Sequence, residues 1–236
     1  MHIPDGFLTP PVTAAATAAA AAGVIAAARG ARSTLTQRPI AALFGMAAVF
    51  AAQAGNFPVS YGVSAHLLGG ALLGAALGFG PAFALTAPVI VVQALLGDGG
   101  IFALGANLLN MAVVAPLVAA LIAKNGDPAR RGAAAFFGTL AAVLACSAEL
   151  VLSGRGPASA VFADMVRLHL PVMALEGVGA FALAAWLRGS TVAARHPARA
   201  AALCCAVFAV GAVFAAQSPD GLEHVAESLG FAGSGR

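Results

Sequence analysis

The chain has 236 residues, of which 61% are hydrophobic and only 9% are charged, and its mean hydropathy is +0.93. Soluble domains carry roughly 25% charged residues, so this composition excludes a soluble globular protein. The net charge of +3 does not indicate nucleic-acid binding, because the basic residues lie in short segments between apolar runs and act there as topology signals.

Apolar runs separated by Gly, Pro and Arg residues predict an all-α, polytopic transmembrane helix bundle, with about seven core spans and one C-terminal span. The third and fourth runs are short for a full crossing of roughly 20 residues, which predicts tilt or a tight turn between them. The predicted spans, in chain order, are 12–28, 40–55, 66–79, 82–96, 101–123, 133–152, 169–187 and 199–216.

The distribution of Lys and Arg predicts an orientation in the cell inner membrane with the N-terminus outside, because cytoplasmic loops retain positive charge. With this orientation only Arg155, Arg167 and Arg236 fall in outer segments. The other nine of the twelve Lys and Arg residues fall inside, namely Arg29, Arg32, Arg38, Lys124, Arg130, Arg131, Arg188, Arg195 and Arg199.

His2 directly follows the α-amino group of Met1, and this arrangement predicts a specific metal chelate. The sequence starts without the basic stretch of a signal peptide, so we expect the mature chain to begin at Met1. The amine, the deprotonated amide nitrogen of His2 and its imidazole Nδ1 close a five-membered and a six-membered ring, which places three nitrogens in one plane. A planar nitrogen set suits Ni(II) or Cu(II), whereas Zn(II) prefers a tetrahedron.

His66 is the candidate for the fourth ligand in this plane. It is predicted at the outer end of the third helical span, on the same side of the membrane as Met1. The residues alone leave a second interpretation open, in which His2 is a frayed terminal residue and His66 is an ordinary interfacial histidine.

Further polar residues cluster toward the same side of the predicted bundle. Asn56, Asp98 and Asn107 could orient a ligating imidazole, although each could equally cap a helix. Glu149 and Glu176 lie inside the sixth and seventh spans, where a carboxylate is costly and is usually functional or paired. For these two residues, a role along the route of the ion and a role in packing both stay open.

Several short motifs stand out in the first half of the chain, namely MHIPDGFL at 1–8, NFP at 56–58, SAHLLGG at 64–70, QALLGDGG at 93–100 and LGAN at 104–107. At these residues the sequence resembles the NikM/CbiM family, the substrate-specific (S) components of energy-coupling-factor transporters for nickel and cobalt. The resemblance implies that the metal is held by the N-terminal amine, by the amide and imidazole of the second residue and by the histidine of an HLLGG motif, here Met1, His2 and His66.

The resemblance also implies a function and a set of partners. The chain would capture Ni(II), its transported substrate, and work in the lipid bilayer with a transmembrane scaffold (T) subunit and two cytoplasmic ATPase subunits. The HLLGG form favours nickel, and cobalt(II) uptake for cobalamin synthesis is the alternative. No nucleic-acid partner is expected.

The C-terminal segment 218–223 resembles the PDGLE segment of a small accessory membrane subunit of these transporters, which is either fused here or still needed as a separate partner. This implies two regions. Residues 1–190 would form the metal-binding transmembrane S-component domain, and residues 191–236 would form a C-terminal span with a PDGLE-type tail on the outer side.

Two other classes of function make different demands on the sequence. An intramembrane enzyme, such as a metal-dependent protease, would need HExxH or paired aspartates in facing spans, and the sequence shows neither pattern. We therefore expect no enzymatic activity in this chain, with ATP hydrolysis in partner subunits. A scaffold or channel without a tight site would tolerate an extension at the N-terminus.

Overall fold

Most of the chain is helical in the computed structural model, which describes residues 1–60, 63–124, 126–191, 195–213 and 218–232. A hairpin of two antiparallel strands, β1 (Phe57–Ser60) and β2 (Val63–Ala65), follows the second helix. The helices are α1 (Pro10–Gln37), α2 (Pro39–Ala54), α3 (Gly70–Leu77), α4 (Phe79–Leu95), α5 (Leu104–Ala123), α6 (Pro128–Leu152), α7 (Ala158–Gly189), α8 (Pro197–Val213) and α9 (Gly221–Ser228).

Proline begins four of these helices, α1, α2, α6 and α8. The backbone N–H groups in the first turn of a helix have no acceptor within the helix, so proline, which lacks this N–H, is tolerated there. Its fixed φ also suits that turn. α6 adds a side-chain cap, since Asp127 accepts a hydrogen bond of 2.8 Å from the backbone N–H of Arg130. Proline therefore helps to set the residue at which each of these four helices begins.

Four helices, α1, α5, α6 and α7, are long and apolar enough to cross a membrane, and α2, α4 and α8 are shorter apolar helices. The predicted helical bundle is thus confirmed in its main part. The predicted number of crossings stays a prediction, because α3 has only eight residues and measures about 12 Å. Residues 214–216 of the eighth predicted span, and parts of the predicted region 191–236, lie outside the described residues.

The third predicted span, 66–79, is wrong in its first part. Residues 66–69 are not helical, and α3 begins only at Gly70. The preceding residues pair as a hairpin, with Phe57 opposite Ala65, and Gly69 turns the chain with a φ of +76° that favours glycine. His66 therefore lies in the non-helical segment 66–69 between β2 and α3, and not at the end of a helix.

The start of α3 is capped by a carboxylate from α7. Glu176 is fully buried and accepts hydrogen bonds from the backbone N–H groups of Gly69, at 2.6 Å, and Leu72, at 2.8 Å. The free N–H groups of a helix start need such acceptors, so Glu176 is a hydrogen-bonded packing residue. The other intramembrane carboxylate, Glu149, accepts a hydrogen bond of 2.8 Å from the Asn110 side chain.

Glycines let α3 approach α5 closely. A side chain at Gly70 or Gly74 would collide with the backbone of α5 at Met111 and Pro116. Near Gly70, α5 is π-helical over Leu108–Val114, which widens the helix locally. Gly70 and Gly74 thus serve packing inside the bundle.

We predict that Glu176→Ala destabilises the protein by about 3 kcal/mol, because it leaves two buried backbone donors without acceptors. Thermal unfolding of the purified chain in detergent measures this change. Glu176→Gln is the matched control, since it keeps one acceptor oxygen and should lose only part of the stability. An alanine variant that melts like the wild type would contradict the capping role.

Candidate metal centre

The first residues of the chain are buried in the bundle. Met1 and Ile3 are 3% and 0% exposed. The side chain of Asn107, in α5, forms two hydrogen bonds with the backbone of Ile3. The N–H of Ile3 donates to Oδ1 at 2.7 Å, and Nδ2 donates to the carbonyl of Ile3 at 3.0 Å. The N–H of Gly100 donates to the same carbonyl at 2.9 Å. These bonds fix the position of the two residues that precede Ile3.

The rest of the segment is held by two charged side chains. The carboxylate of Asp5 accepts hydrogen bonds from the backbone N–H groups of residues 101–103, which lead into α5. The guanidinium of Arg155 donates to the carbonyls of Gly6 and Phe7, at 2.6 Å and 2.5 Å. The N-terminal segment is therefore docked along its length and not only at its first residue.

The amine of Met1 lies 3.1 Å from Nε2 of His66 and 2.6 Å from Oδ2 of Asp220. Nδ1 of His66 lies 2.9 Å from the carbonyl oxygen of Leu67. Because a carbonyl only accepts hydrogen bonds, this contact requires the proton on Nδ1. The lone pair of Nε2 then faces the amine.

The ring of His2 packs against the ring of His66. Its ring centre is 5.2 Å from that of His66, with the two planes at 66°. Nδ1 of His2 is 3.2 Å from the backbone carbonyl oxygen of Asp98, while Nε2 is buried and has no hydrogen-bond partner among the described residues. Chelation through Nδ1 therefore requires this ring to turn away from Asp98.

Burial and charge set the protonation of these groups. Burial, followed by the neighbouring ammonium, lowers the pKa of His2 and brings the pKa of His66 well below its ordinary value. For Asp220, burial acts to raise the pKa, but the ammonium of Met1 more than offsets it, and the pKa is lowered. These directions favour two neutral imidazoles beside the ion pair of the Met1 ammonium and the Asp220 carboxylate.

The three residues expected to orient an imidazole are placed differently from one another. Asp98 contacts His2 through its backbone carbonyl, and its side-chain Oδ1 is 3.6 Å from Nδ1 of that ring. Asn107 binds the backbone of Ile3. Asn56 follows α2, and its buried Oδ1 has no hydrogen-bond partner among the described residues.

Asp220 is the residue of this cluster that the sequence did not reveal as part of it. The pattern Asp220-Gly-Leu-Glu223 is typical of a capping box, and it does start α9. Its contact with Met1 joins residues 219 positions apart. That contact depends on the tail pairing with β2, where the N–H of Ser64 donates to the carbonyl of Pro219 at 2.8 Å.

The donor atoms suit a metal that prefers nitrogen. Among the described residues, no group of three or more His, Cys, Asp and Glu side chains is arranged to hold a metal ion, while the Met1 amine adds a nitrogen donor beside His66. Adjacent ligands in a square plane with bonds of about 2 Å are about 2.8 Å apart. The 3.1 Å between the amine and His66 Nε2 is close to this separation.

The chain is similar to proteins that transport transition metals. Residues 2–194 match the family CbiM, described as "Cobalt uptake substrate-specific transmembrane region". The chain is 33% identical over 229 residues to the fused nickel transport protein NikMN of Rhodobacter capsulatus, an alignment that covers 86% of this chain and 66% of that protein. It is 30% identical over 200 residues to the cobalt transport protein CbiM of Clostridioides difficile, covering 75% and 78%.

A solved structure described as the crystal structure of a transition metal transporter has the same fold. It superimposes with a TM-score of 0.70 at 29% identity and covers 85% of this chain and 99% of the solved chain. The chain therefore spans nearly all of this neighbour but only about two thirds of the fused nickel transport protein.

Proposed function

The chain belongs to the CbiM family and is a membrane component of nickel or cobalt transport, and we propose that it captures Ni(II) from the outer side with its own N-terminus. The ligands are the amine of Met1, the deprotonated amide nitrogen and Nδ1 of His2, and Nε2 of His66. The observation that carries this proposal is the 3.1 Å contact between the Met1 amine and His66 Nε2.

The surrounding contacts support a binding site that is largely formed before the ion arrives. The clamp of Asn107 on Ile3 holds the backbone, so little conformational freedom of the segment remains to be lost on capture. The carbonyl of Leu67 keeps the proton on Nδ1 of His66 and leaves Nε2 as the ligand atom. The remaining rearrangement is the turn of the His2 ring, together with the loss of one proton from the amine and one from the amide.

The proposed ligand set favours Ni(II) over Co(II). Four nitrogens in a plane are typical of Ni(II) and Cu(II) sites, and the amide anion is part of that plane. One relative of the chain, NikMN, is described as a nickel transport protein, and another, CbiM, is described as a cobalt transport protein. Cobalt(II) uptake is therefore the alternative function, and it would use the same first two residues.

In the proposed transport cycle the chain is the substrate-binding subunit of an ATP-driven energy-coupling-factor importer in the cell inner membrane. Its N-terminus lies outside, and it works with a scaffold subunit and two cytoplasmic ATPase subunits, which hydrolyse ATP. The excess of Lys and Arg in the predicted inner segments supports this orientation.

Extending or acetylating the N-terminus should abolish tight Ni(II) binding, because either change removes the amine ligand and displaces the segment from its buried position. Calorimetric titration of the purified chain with Ni(II) measures the affinity. A variant with one residue added at the C-terminus, in place of the N-terminus, is the matched control and should bind Ni(II) with unchanged affinity. Equal affinity with a blocked amine would exclude the amine as a ligand.

His66→Ala should weaken Ni(II) binding by more than about tenfold, which corresponds to about 1.4 kcal/mol, because it removes the only in-plane ligand that does not come from the first two residues. His196→Ala replaces an exposed histidine next to α8 and serves as the control. Metal content is measured on both purified variants. Wild-type content in the His66 variant would rule out its proposed role.

Ni(II) binding should weaken as pH falls from 8 to 6. The two imidazoles, with lowered pKa values, stay neutral through most of this range and do not cause the loss. The ammonium and amide protons compete with the ion, and release of two protons per ion lowers the affinity by up to about 100-fold per pH unit. Titrations at three pH values measure the slope, and a flat profile would indicate a site without the amine and the amide.

A further inference from the structure

The carboxylate of Asp220 makes two separate sets of contacts. Oδ2 is paired with the amine of Met1 at 2.6 Å, and Oδ1 accepts hydrogen bonds from the N–H groups of Leu222 and Glu223 at 2.8 Å and 2.9 Å. The Asp220 side chain is only 15% exposed. A carboxylate removed from water in this way needs compensation by charge and hydrogen bonds, and both are present.

The charges of the cluster balance without a metal ion. The ammonium of Met1 contributes +1 and the carboxylate of Asp220 contributes −1. The ring of His66 faces the ammonium with Nε2 and the Leu67 carbonyl with Nδ1, and the ring of His2 contacts the Asp98 carbonyl with Nδ1, contacts that neutral imidazoles make. The carboxylates of Asp98 and Glu223 also lie near the cluster, but both residues are exposed and therefore screened by solvent.

The proposed binding reaction changes the individual charges but keeps their sum, which is +1 without Asp220 and zero with it. The amine loses one proton and the amide of His2 loses another, and one divalent ion enters. The ion and the amide anion together carry +1, which would be an uncompensated buried charge in the absence of a carboxylate. With Asp220 the sum is zero before capture and zero after it.

We propose that Asp220 is the counter-charge of the metal site, which it keeps electrically neutral in both the empty and the loaded state. This inference rests on the proposed function and extends it to the C-terminal tail. Asp220 is a positioning residue, because in the empty state it holds the amine beside His66, and in the loaded state it accepts a hydrogen bond from the coordinated amine.

The tail is built to keep Asp220 in this position. Leu222 and Val225 of α9 are fully buried, and the ring of Phe231 packs edge-on against Phe7 of the N-terminal segment, with ring centres 5.3 Å apart. Beside Asp220, Oγ of Ser64 donates to the carbonyl of Ser218 at 2.6 Å. The C-terminal tail is therefore part of the binding site in this chain.

The test compares Asp220→Asn with Asp220→Ala in the full chain. Asparagine caps a helix about as well as aspartate, so Asp220→Asn removes the charge and keeps the start of α9, whereas alanine removes both. We expect both variants to bind Ni(II) about 10- to 100-fold more weakly than the wild type in calorimetric titration. Glu227→Gln removes an exposed charge from the same helix and is the matched control, with wild-type affinity expected.

Hydrogen exchange distinguishes an effect of the Asp220 charge on binding from a purely structural role of Asp220 in docking the C-terminal tail. The N–H of Ser64 donates to Pro219, so its protection reports whether the tail is docked. Weaker binding in Asp220→Asn with Ser64 still protected supports the counter-charge. Wild-type affinity in Asp220→Asn, or a loss of affinity only together with the loss of Ser64 protection, would overturn it. If the wild type itself binds Ni(II) independently of its amine, the proposed function fails instead.

Discussion

A charged amine inside a membrane protein is stable only where the surrounding groups compensate its charge, and the organisation of this chain around Met1 follows from that constraint. The amine lies between a neutral imidazole and a carboxylate, with His66 and Asp220 at 3.1 Å and 2.6 Å. Neither partner is near Met1 in sequence. The hairpin positions His66 beside the amine nitrogen and the C-terminal tail positions Asp220, so the fold brings distant parts of the chain together at Met1.

The packing of the bundle supports this convergence. The cap from Glu176 fixes the start of α3. It thereby also fixes the end of the non-helical segment 66–69, which carries His66. The π-helical part of α5 packs against the same end of α3 and is preceded by Asn107, which holds the third residue of the chain. Stability of the helices and precision of the site therefore depend on the same few polar contacts between otherwise apolar helices.

The sequence revealed the helices better than it revealed the contacts between them. Apolar runs and prolines predicted helices close to α2, α4 and α5, because burial in lipid requires both length and hydrophobicity, whereas α1 continues to Gln37, beyond the predicted end at residue 28. The hairpin before α3 was missed, because its strands of four and three residues, between two predicted spans, are too short to show a periodicity. Asp220 was visible only as part of the PDGLE-type segment, because pairing over 219 positions leaves no local pattern.

The chemistry of the first two residues was accessible from the sequence, since the chelate rings follow from covalent connectivity alone. Its most direct test is X-ray absorption spectroscopy at the nickel edge on the purified, loaded chain with its native start. The expected result is a Ni(II) ion with four nitrogen neighbours in a square plane. A six-coordinate shell containing oxygen ligands would contradict it.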